Sequence, residues 1–144
     1  MLLLSYPIIR VQSEKSESLD LASYLGLAVW IVGFMFQVIG DWQLRQFKKK
    51  RVNNEEVLTT GLWRYTRHPN YFGEAVMWWG IAIIVLPVPA GWGAIISSLL
   101  INFLLVKVSG VPFLDRRYAH NSAYQQYKRE TNRFIPWFPK VERK

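Results

Sequence analysis

The densest run of chemistry-bearing residues in this chain is Gly61–Glu74, GLWRYTRHPNYFGE. Pro69 fits the first turn of a helix, where its missing N–H costs nothing and its fixed φ is suited to the geometry. The residues before it then stand at a helix N-terminus, whose free N–H groups and macrodipole attract an anion. Arg64, Arg67 and His68 surround that point and together describe a phosphate-binding corner. The plainer alternative is that Arg64 and Arg67 only grip lipid headgroups. Asn70 and Glu74, one helical turn apart, argue for more. They carry polar groups into an otherwise apolar stretch, where such groups are costly and point to function with a partner. Glu74 could pair with Arg64 or Arg67, or accept a hydrogen bond from a ligand hydroxyl.

A second set lies near the C-terminus: Asp115, Arg116 and Arg117, then Tyr118, Tyr124 and Tyr127, then Lys128 and Arg129. Tyr124 and Tyr127 are three apart and share a helix face. Such a cationic, aromatic helix can lie in a membrane interface. It can equally close over a flat, anionic cofactor, stacking rings and pairing phosphates. The residues leave both readings open.

Other chemistry is excluded by composition. There is no cysteine, so disulfides, thiolate zinc ligation and thiol catalysis are ruled out. His68 and His120 are the only imidazoles, too few for a His-rich metal site. Gly-x-Gly-x-x-Gly occurs nowhere, so a bound dinucleotide would not sit on a Rossmann turn.

The elements that position these residues are apolar blocks rather than the interleaved pattern of a soluble domain. Leu21–Ile39 carries no charge and is the first expected membrane span. Gly26, Gly33 and Gly40 recur every seven residues along it, one face that lets a neighbouring helix approach closely. Phe72–Leu86 and Trp92–Val106 predict a second and a third span, joined by the turn Pro87–Gly91 as a helical hairpin. The expected fold is therefore all-α and integral to the membrane, with about three transmembrane helices and a cytoplasmic amphipathic helix at the C-terminus. Residues 1–20 form a non-cytoplasmic segment in this scheme, and residues 21–144 the membrane domain.

Charge sets the orientation. Of 18 Lys and Arg, seven lie in residues 44–68 and nine in 107–144, with two before the first span. Three spans put both basic segments on one side, as the positive-inside rule requires. The net charge of +8 is thus assigned to anionic lipid and an anionic ligand, not to nucleic acid. Met1–Ile9 is apolar but too short to cross and lacks the marks of a signal peptide. It reads as the tail of an earlier helix, followed by a polar loop from Arg10 to Asp20.

Three segments in order, DWQLRQF at Asp41–Phe47, RHPNYFGE within Gly61–Glu74, and VSGVPFLDRRY…YQQYKRETNRFIPW, carry a family resemblance. Over roughly residues 20–138 the chain resembles the steroid 5-alpha-reductase-like family of bacterial membrane proteins, a domain of unknown function (type 1295). That family is related to steroid 5-reductases, sterol C14-reductases and, more distantly, isoprenylcysteine carboxyl methyltransferases. The resemblance implies packed transmembrane helices around a cytoplasm-facing pocket for NADPH, from which a hydride passes to an activated carbon–carbon double bond of a membrane lipid. It implies that Asn70 and Tyr71 lie near the nicotinamide, Arg64, Arg67 and His68 near the phosphates, and Trp63 and Glu74 beside them. Asp115, Arg116, Tyr124 and Tyr127 would belong to a segment closing over the cofactor, and Asp41 and Arg45 would complete the pocket.

The chain departs from the family pattern at its N-terminal side, where members carry several more helices that enclose the lipid substrate and supply its proton donor. Three readings follow. The first is an NADPH-dependent reductase of a steroid-like or isoprenoid enone in the bacterial inner membrane, acting alone or as a homo-oligomer. The second is an S-adenosylmethionine-dependent methyltransferase of the isoprenylcysteine carboxyl or phospholipid type. The third is a non-catalytic membrane fragment. The number of bases favours the dinucleotide, since a pyrophosphate and a 2′-phosphate need more positive charge than one carboxylate.

Overall fold

Asp20 starts the first helix by accepting hydrogen bonds from the Ser23 amide and hydroxyl, both at 2.8 Å, a side-chain cap that satisfies an otherwise free N–H. The structure, a computed structural model, describes residues 5–9, 20–53, 55–108 and 115–140. Helix α1 spans Leu21–Lys50, 30 residues, and ends on Lys48, Lys49 and Lys50, where cations complement the negative end of the helix. At 1.5 Å per residue it is about 45 Å long. It is the one helix among the described residues long and apolar enough to cross a membrane.

A 3-10 turn at Gly61–Arg64 leads to α2, Pro69–Val85, with Pro69 at its first position as expected. Helix α3, Gly93–Phe103, runs on through a π-helical turn at Leu104–Val108. Helix α4, Ser122–Glu130, follows on the C-terminal side. Among the described residues there is no strand. The spans expected at 72–86 and 92–106 correspond to α2 and α3, an antiparallel hairpin whose arms are shorter than the ~20 residues of a straight crossing. Its turn is closed by Val88 N–H donating to Val85 O at 3.0 Å and Gly91 N–H to Val88 O at 2.7 Å. Ala82, Val85 and Ala94 form the core between the two arms, and the Ser98 hydroxyl donates to Trp78 O at 2.9 Å.

The glycine face of α1 is where α2 packs. Gly26, Gly33 and Gly40 are the buried residues of that helix. A Cβ on Gly33 would stand 2.6 Å from Gly73 O, and one on Gly26 2.6 Å from Gly80 O. Both helices thus use glycines seven residues apart, and the pairing runs antiparallel. The backbones touch because no side chain stands between them. The register brings Gly40 against Pro69 and Asn70, so the C-terminal end of α1 meets the N-terminal end of α2.

Residues 5–9 are helical and reach the opposite end, where the Tyr6 hydroxyl donates to Ala90 O at 2.7 Å in the hairpin turn. The expected loop from Arg10 falls outside the described residues, except for Asp20, as does the VPFL part of the third segment.

Candidate functional site

The turn before α2 is stitched to α1 by side chains. Gly61 has φ +63, a backbone conformation that favours glycine, and the Gln43 side-chain amide lies close against it. The same Gln43 accepts the Leu62 amide at 3.0 Å, and Trp63 Nε1–H donates to Gly40 O at 3.1 Å. Beyond that, Thr66, Arg67, His68 and Pro69 are all buried.

From the other side the turn is held by α4 and the segment after it. Asn121 caps α4 by accepting the Tyr124 amide at 2.8 Å, and its own amide donates to Glu55 O at 2.8 Å. Tyr124 and Tyr127, sharing one face, are 6% and 4% exposed and turn inward. The Tyr127 hydroxyl donates to Trp63 O. Arg67 Nη1 meets Asp115 Oδ1 at 2.5 Å, and the Tyr124 hydroxyl donates to the same oxygen at 2.7 Å. Lys128 reaches the other oxygen at 3.4 Å. Burial works to raise the Asp115 pKa, but the Tyr124 hydrogen bond, Arg67 and Lys128 outweigh it and hold the carboxyl below its usual range. Burial, with the Asp115 carboxylate, pushes the Tyr124 hydroxyl up to about 12, and burial raises that of Tyr127 also.

A cavity of about 270 Å³ opens between these elements. Its floor is Trp63, Arg67, His68, Tyr124 and Tyr127, and its walls include Leu44, Phe47, Val57, Leu58 and Tyr118. Lys48, Arg51, Arg67 and Arg117 supply four cations to its lining, against the single acid Glu56. His68 is 1% exposed and stacks on Tyr71 with ring centroids 5.6 Å apart. Neither of its ring nitrogens has a hydrogen-bond partner, and nor does Arg67 Nε. Burial first, and the Arg67 charge second, lower the His68 pKa to about 4, so the ring is neutral and offers one donor and one acceptor. Buried polar atoms without partners are rare and costly. Here they line a cavity with room for a ligand.

The residues singled out in the sequence separate into groups. Trp63, Arg67, His68, Tyr124 and Tyr127 meet at the cavity, with Asp115 behind Arg67. Asp41 and Asn70 meet each other: Asn70 Nδ2 donates to Asp41 at 3.0 Å, leaving Asn70 Oδ1 without a partner. Tyr71 joins the cavity only through its stack on His68. Arg64 does not stand with Arg67 and His68. It is exposed and lines a separate, more open depression with Thr59, Thr60, Gly61, Glu130 and Thr131. The 3-10 turn ends at Arg64, and the chain bends before Arg67, whose amide is tied to Asn132 O, so the two arginines are divided between the two sides of the segment. Arg45 and Arg116 are exposed and line neither space. Glu74 makes no ion pair with either arginine among the described residues, because Arg67 is taken by Asp115. Asp115 is paired with Arg67, and the Tyr124 hydroxyl is engaged by both, where ring stacking is the expectation from sequence.

Arg117 and Tyr118 reach the cavity from the C-terminal set, whereas Lys48 and Arg51 are not among the residues expected there from the sequence, although a signal for both exists. Phe47 and Arg51 lie seven and eleven residues beyond Gly40, close to whole turns on the glycine face, with Lys48 beside them. Arg45 is rotated away from that face.

A family profile described as "Protein of unknown function (DUF1295)" matches residues 1–131. The chain belongs to the DUF1295 family. This family is steroid 5-alpha-reductase-like. Its relatives include 3-oxo-5-alpha-steroid 4-dehydrogenase 1 of Rattus norvegicus, 25% identical over 115 residues, 78% of this chain and 40% of the relative. The Mus musculus protein of the same name is 36% identical over 58 residues, covering 40% of this chain and 23% of that protein. The Bos taurus protein is 30% identical over 78 residues, 54% of this chain and 30% of the relative. This DUF1295 chain therefore spans less than half the length of the curated relatives it matches. No solved structure matches it.

Proposed function

We propose that this DUF1295 protein holds NADPH for reduction of a carbon–carbon double bond in a membrane-embedded steroid-like or isoprenoid enone. The observation that carries the reading is the cavity floored by Arg67 and neutral His68 and ringed by Lys48, Arg51 and Arg117. The relatives' name, a 3-oxo-steroid 4-dehydrogenase, supplies the substrate class. The donor set fits the cofactor. Cations suit a pyrophosphate and a 2′-phosphate, tyrosine and histidine rings suit flat bases, and the partnerless nitrogens of His68 and Arg67 await hydrogen bonds. The cavity is smaller than typical for a whole ligand of this size (~300–1,000 Å³), so it takes one part of the dinucleotide.

Bound there, NADPH would supply the hydride for the carbon β to the substrate carbonyl, with a proton required at the α carbon. The protein's share is positioning and electrostatics. Lys48, Arg51 and Arg117 neutralise phosphate charge. Asp115 and Tyr124 hold the Arg67 guanidinium in place through its Nη1. His68, neutral at working pH, offers hydrogen bonds without adding charge. In this reading α1 crosses the bilayer, α2 and α3 dip through it as a hairpin, and the basic ends face the cytoplasm of a bacterial inner membrane.

The test is titration of NADPH and of S-adenosylmethionine into the detergent-purified chain at two salt concentrations. Saturable NADPH binding that weakens with salt is the expected outcome. Asn70→Ala and Arg67→Ala should each weaken it sharply, while Arg10→Ala should not. Binding of S-adenosylmethionine alone would overturn the reading in favour of a methyltransferase.

A further inference from the structure

Among the described residues, three exposed large apolar side chains fall together outside the helices in Asn132–Lys140, a strap after α4. Ile135, Trp137 and Phe138 are 67%, 69% and 73% exposed. This is no loosely attached tail. Thr66 Oγ1–H donates to Phe134 O at 2.7 Å. The Trp137 amide donates to Tyr65 O at 3.0 Å, the Arg67 amide to Asn132 O at 2.9 Å, and the Lys140 amide to Glu130 O at 2.8 Å. Four bonds hold three large apolar side chains out from the protein.

Their level is set by neighbours. Phe134 meets Phe72 edge-on at 6.0 Å, and Phe72 meets Phe36 of α1 at 5.2 Å. Arg133 Nη2 reaches Val106 O at 3.4 Å, near the end of the π turn after α3. The strap therefore lies at the level of Phe36 on α1, the start of α2 and the end of the π turn after α3. There the uncharged stretch Leu21–Ile39 of α1 gives way to Asp41 and Arg45. Within Asn132–Lys140 the charges are Arg133 and Lys140, with no acid. Exposed tryptophan and phenylalanine with flanking cations, held at such a boundary, match the chemistry of an anionic lipid interface.

We propose that the strap Asn132–Lys140 docks on the anionic headgroup region of the bilayer through Ile135, Trp137 and Phe138, with Arg133 and Lys140 on lipid phosphates. The inference rests on α1 crossing the membrane, as proposed above. Its consequence lies in the bonds to Tyr65, Thr66 and Arg67: the strap that rests on lipid also fixes the turn that floors the cavity. The aromatic face of α4, the candidate for this contact in the sequence, is spent on the cavity. The strap takes the role.

The chain has no cysteine, so one introduced cysteine is a unique label site. The full chain is reconstituted in phosphatidylcholine vesicles with and without phosphatidylglycerol. A nitroxide is attached in turn at Trp137→Cys, Phe138→Cys, Ile31→Cys on the exposed face of α1, and Ala123→Cys on the exposed face of α4. Relative access to oxygen and to a water-soluble nickel chelate gives depth. The expected result is oxygen-favoured labels at 137 and 138, intermediate between a lipid-exposed label at 31 and an aqueous one at 123. Adding Arg133→Glu and Lys140→Glu should move the label at 138 toward water in vesicles with phosphatidylglycerol and leave it in place without it. A label at 137 as aqueous as at 123, with 31 still in lipid, overturns the strap proposal alone. An aqueous label at 31 overturns the membrane reading and the proposal with it. Shielding of 137 from both reagents overturns it in favour of a second copy covering the patch.

Discussion

Arg67 and Asp115, 48 residues apart in sequence, meet at 2.5 Å and join the turn before α2 to the segment before α4. Their side chains are 5% and 16% exposed, so neither charge is well hydrated without the other. Removing one partner of a fully buried pair costs roughly 3–5 kcal/mol, mostly through the orphaned charge. Asp115 keeps some solvent, so Asp115→Asn should cost about 2 kcal/mol, read as a lowered thermal midpoint in detergent. It should also free the Arg67 guanidinium to move, weakening NADPH binding more than the stability loss explains. An unchanged midpoint would falsify the pair's structural role.

Tyr124 tests whether its ring or its hydroxyl matters. The hydroxyl donates to Asp115 at 2.7 Å and accepts from Arg67 at 3.3 Å. Hydrogen bonds to charged groups contribute about 1.5–3 kcal/mol each before compensation. Tyr124→Phe should therefore lose roughly 1–2 kcal/mol and displace Arg67, a measurable fall in midpoint and in NADPH affinity. Tyr124→Ala should lose more, since the ring also packs on Tyr118 and Tyr127. A Phe variant indistinguishable from the parent protein would restore the simpler stacking role.

The close approach of α1 and α2 gives the clearest steric prediction. A Cβ on Gly33 would stand 2.6 Å from both Gly73 O and the Met77 amide nitrogen, backbone atoms that cannot turn aside. Gly33→Ala should force the helices apart and cost about 1–3 kcal/mol, the usual range for overpacking. Ala28→Leu, on the exposed face of the same helix, should change the midpoint by less than about 0.5 kcal/mol equivalent. Equal effects would mean that the glycine face is not the contact.

That contact was legible in the sequence because a seven-residue glycine repeat has one structural consequence on a helix: a bare face. The hairpin turn was legible from Pro87 and Pro89 for similar reasons, since proline cannot continue a hydrogen-bonded ladder. The cavity was only half legible. Arg64, Arg67 and His68 are neighbours in sequence, but the 3-10 turn stops at Arg64, and the bend after it leaves Arg64 outside and turns the other two inward. Lys48 and Arg51 were hidden in a run of bases that has no helical period of its own. Their direction follows from the glycine face upstream, once that face is known to pack. The partnership of Arg67 with Asp115 had no local signal, because it is made by tertiary contact across 48 residues.

His68 should make stability fall in mild acid. Its pKa is about 4 in the folded chain against an ordinary 6.5, so the unfolded chain takes up the proton first. The contribution is fully present above pH 6.5 and is lost as pH falls from there towards 4, amounting to about 3 kcal/mol at ~1.4 kcal/mol per pKa unit. Asp115, whose carboxyl is held below its ordinary 3.8, loses its contribution at lower pH, mostly below about pH 5, because above that it is ionised in both states. Thermal midpoints at pH 7.5 and 5 should thus differ in the parent protein and converge in His68→Gln. A slope that survives the substitution would assign the titration to another group.

The final prediction separates two adjacent arginines that the sequence cannot rank. Arg117 lines the cavity, whereas Arg116 is exposed and lines neither that space nor the depression beside Arg64. A phosphate contact at the rim of a partly open site is worth roughly 1–1.5 kcal/mol, or about tenfold in affinity. Arg117→Ala should therefore weaken NADPH binding about tenfold and flatten its salt dependence, since one fewer cation then faces the ligand. Arg116→Ala should stay within about twofold, through the general loss of one positive charge at a distance. Because both variants remove the same charge from the same segment, their difference isolates direction from net charge. Equal losses would locate the ligand outside the cavity, along the shared basic surface, and the proposed floor of Arg67 and His68 would lose its ligand.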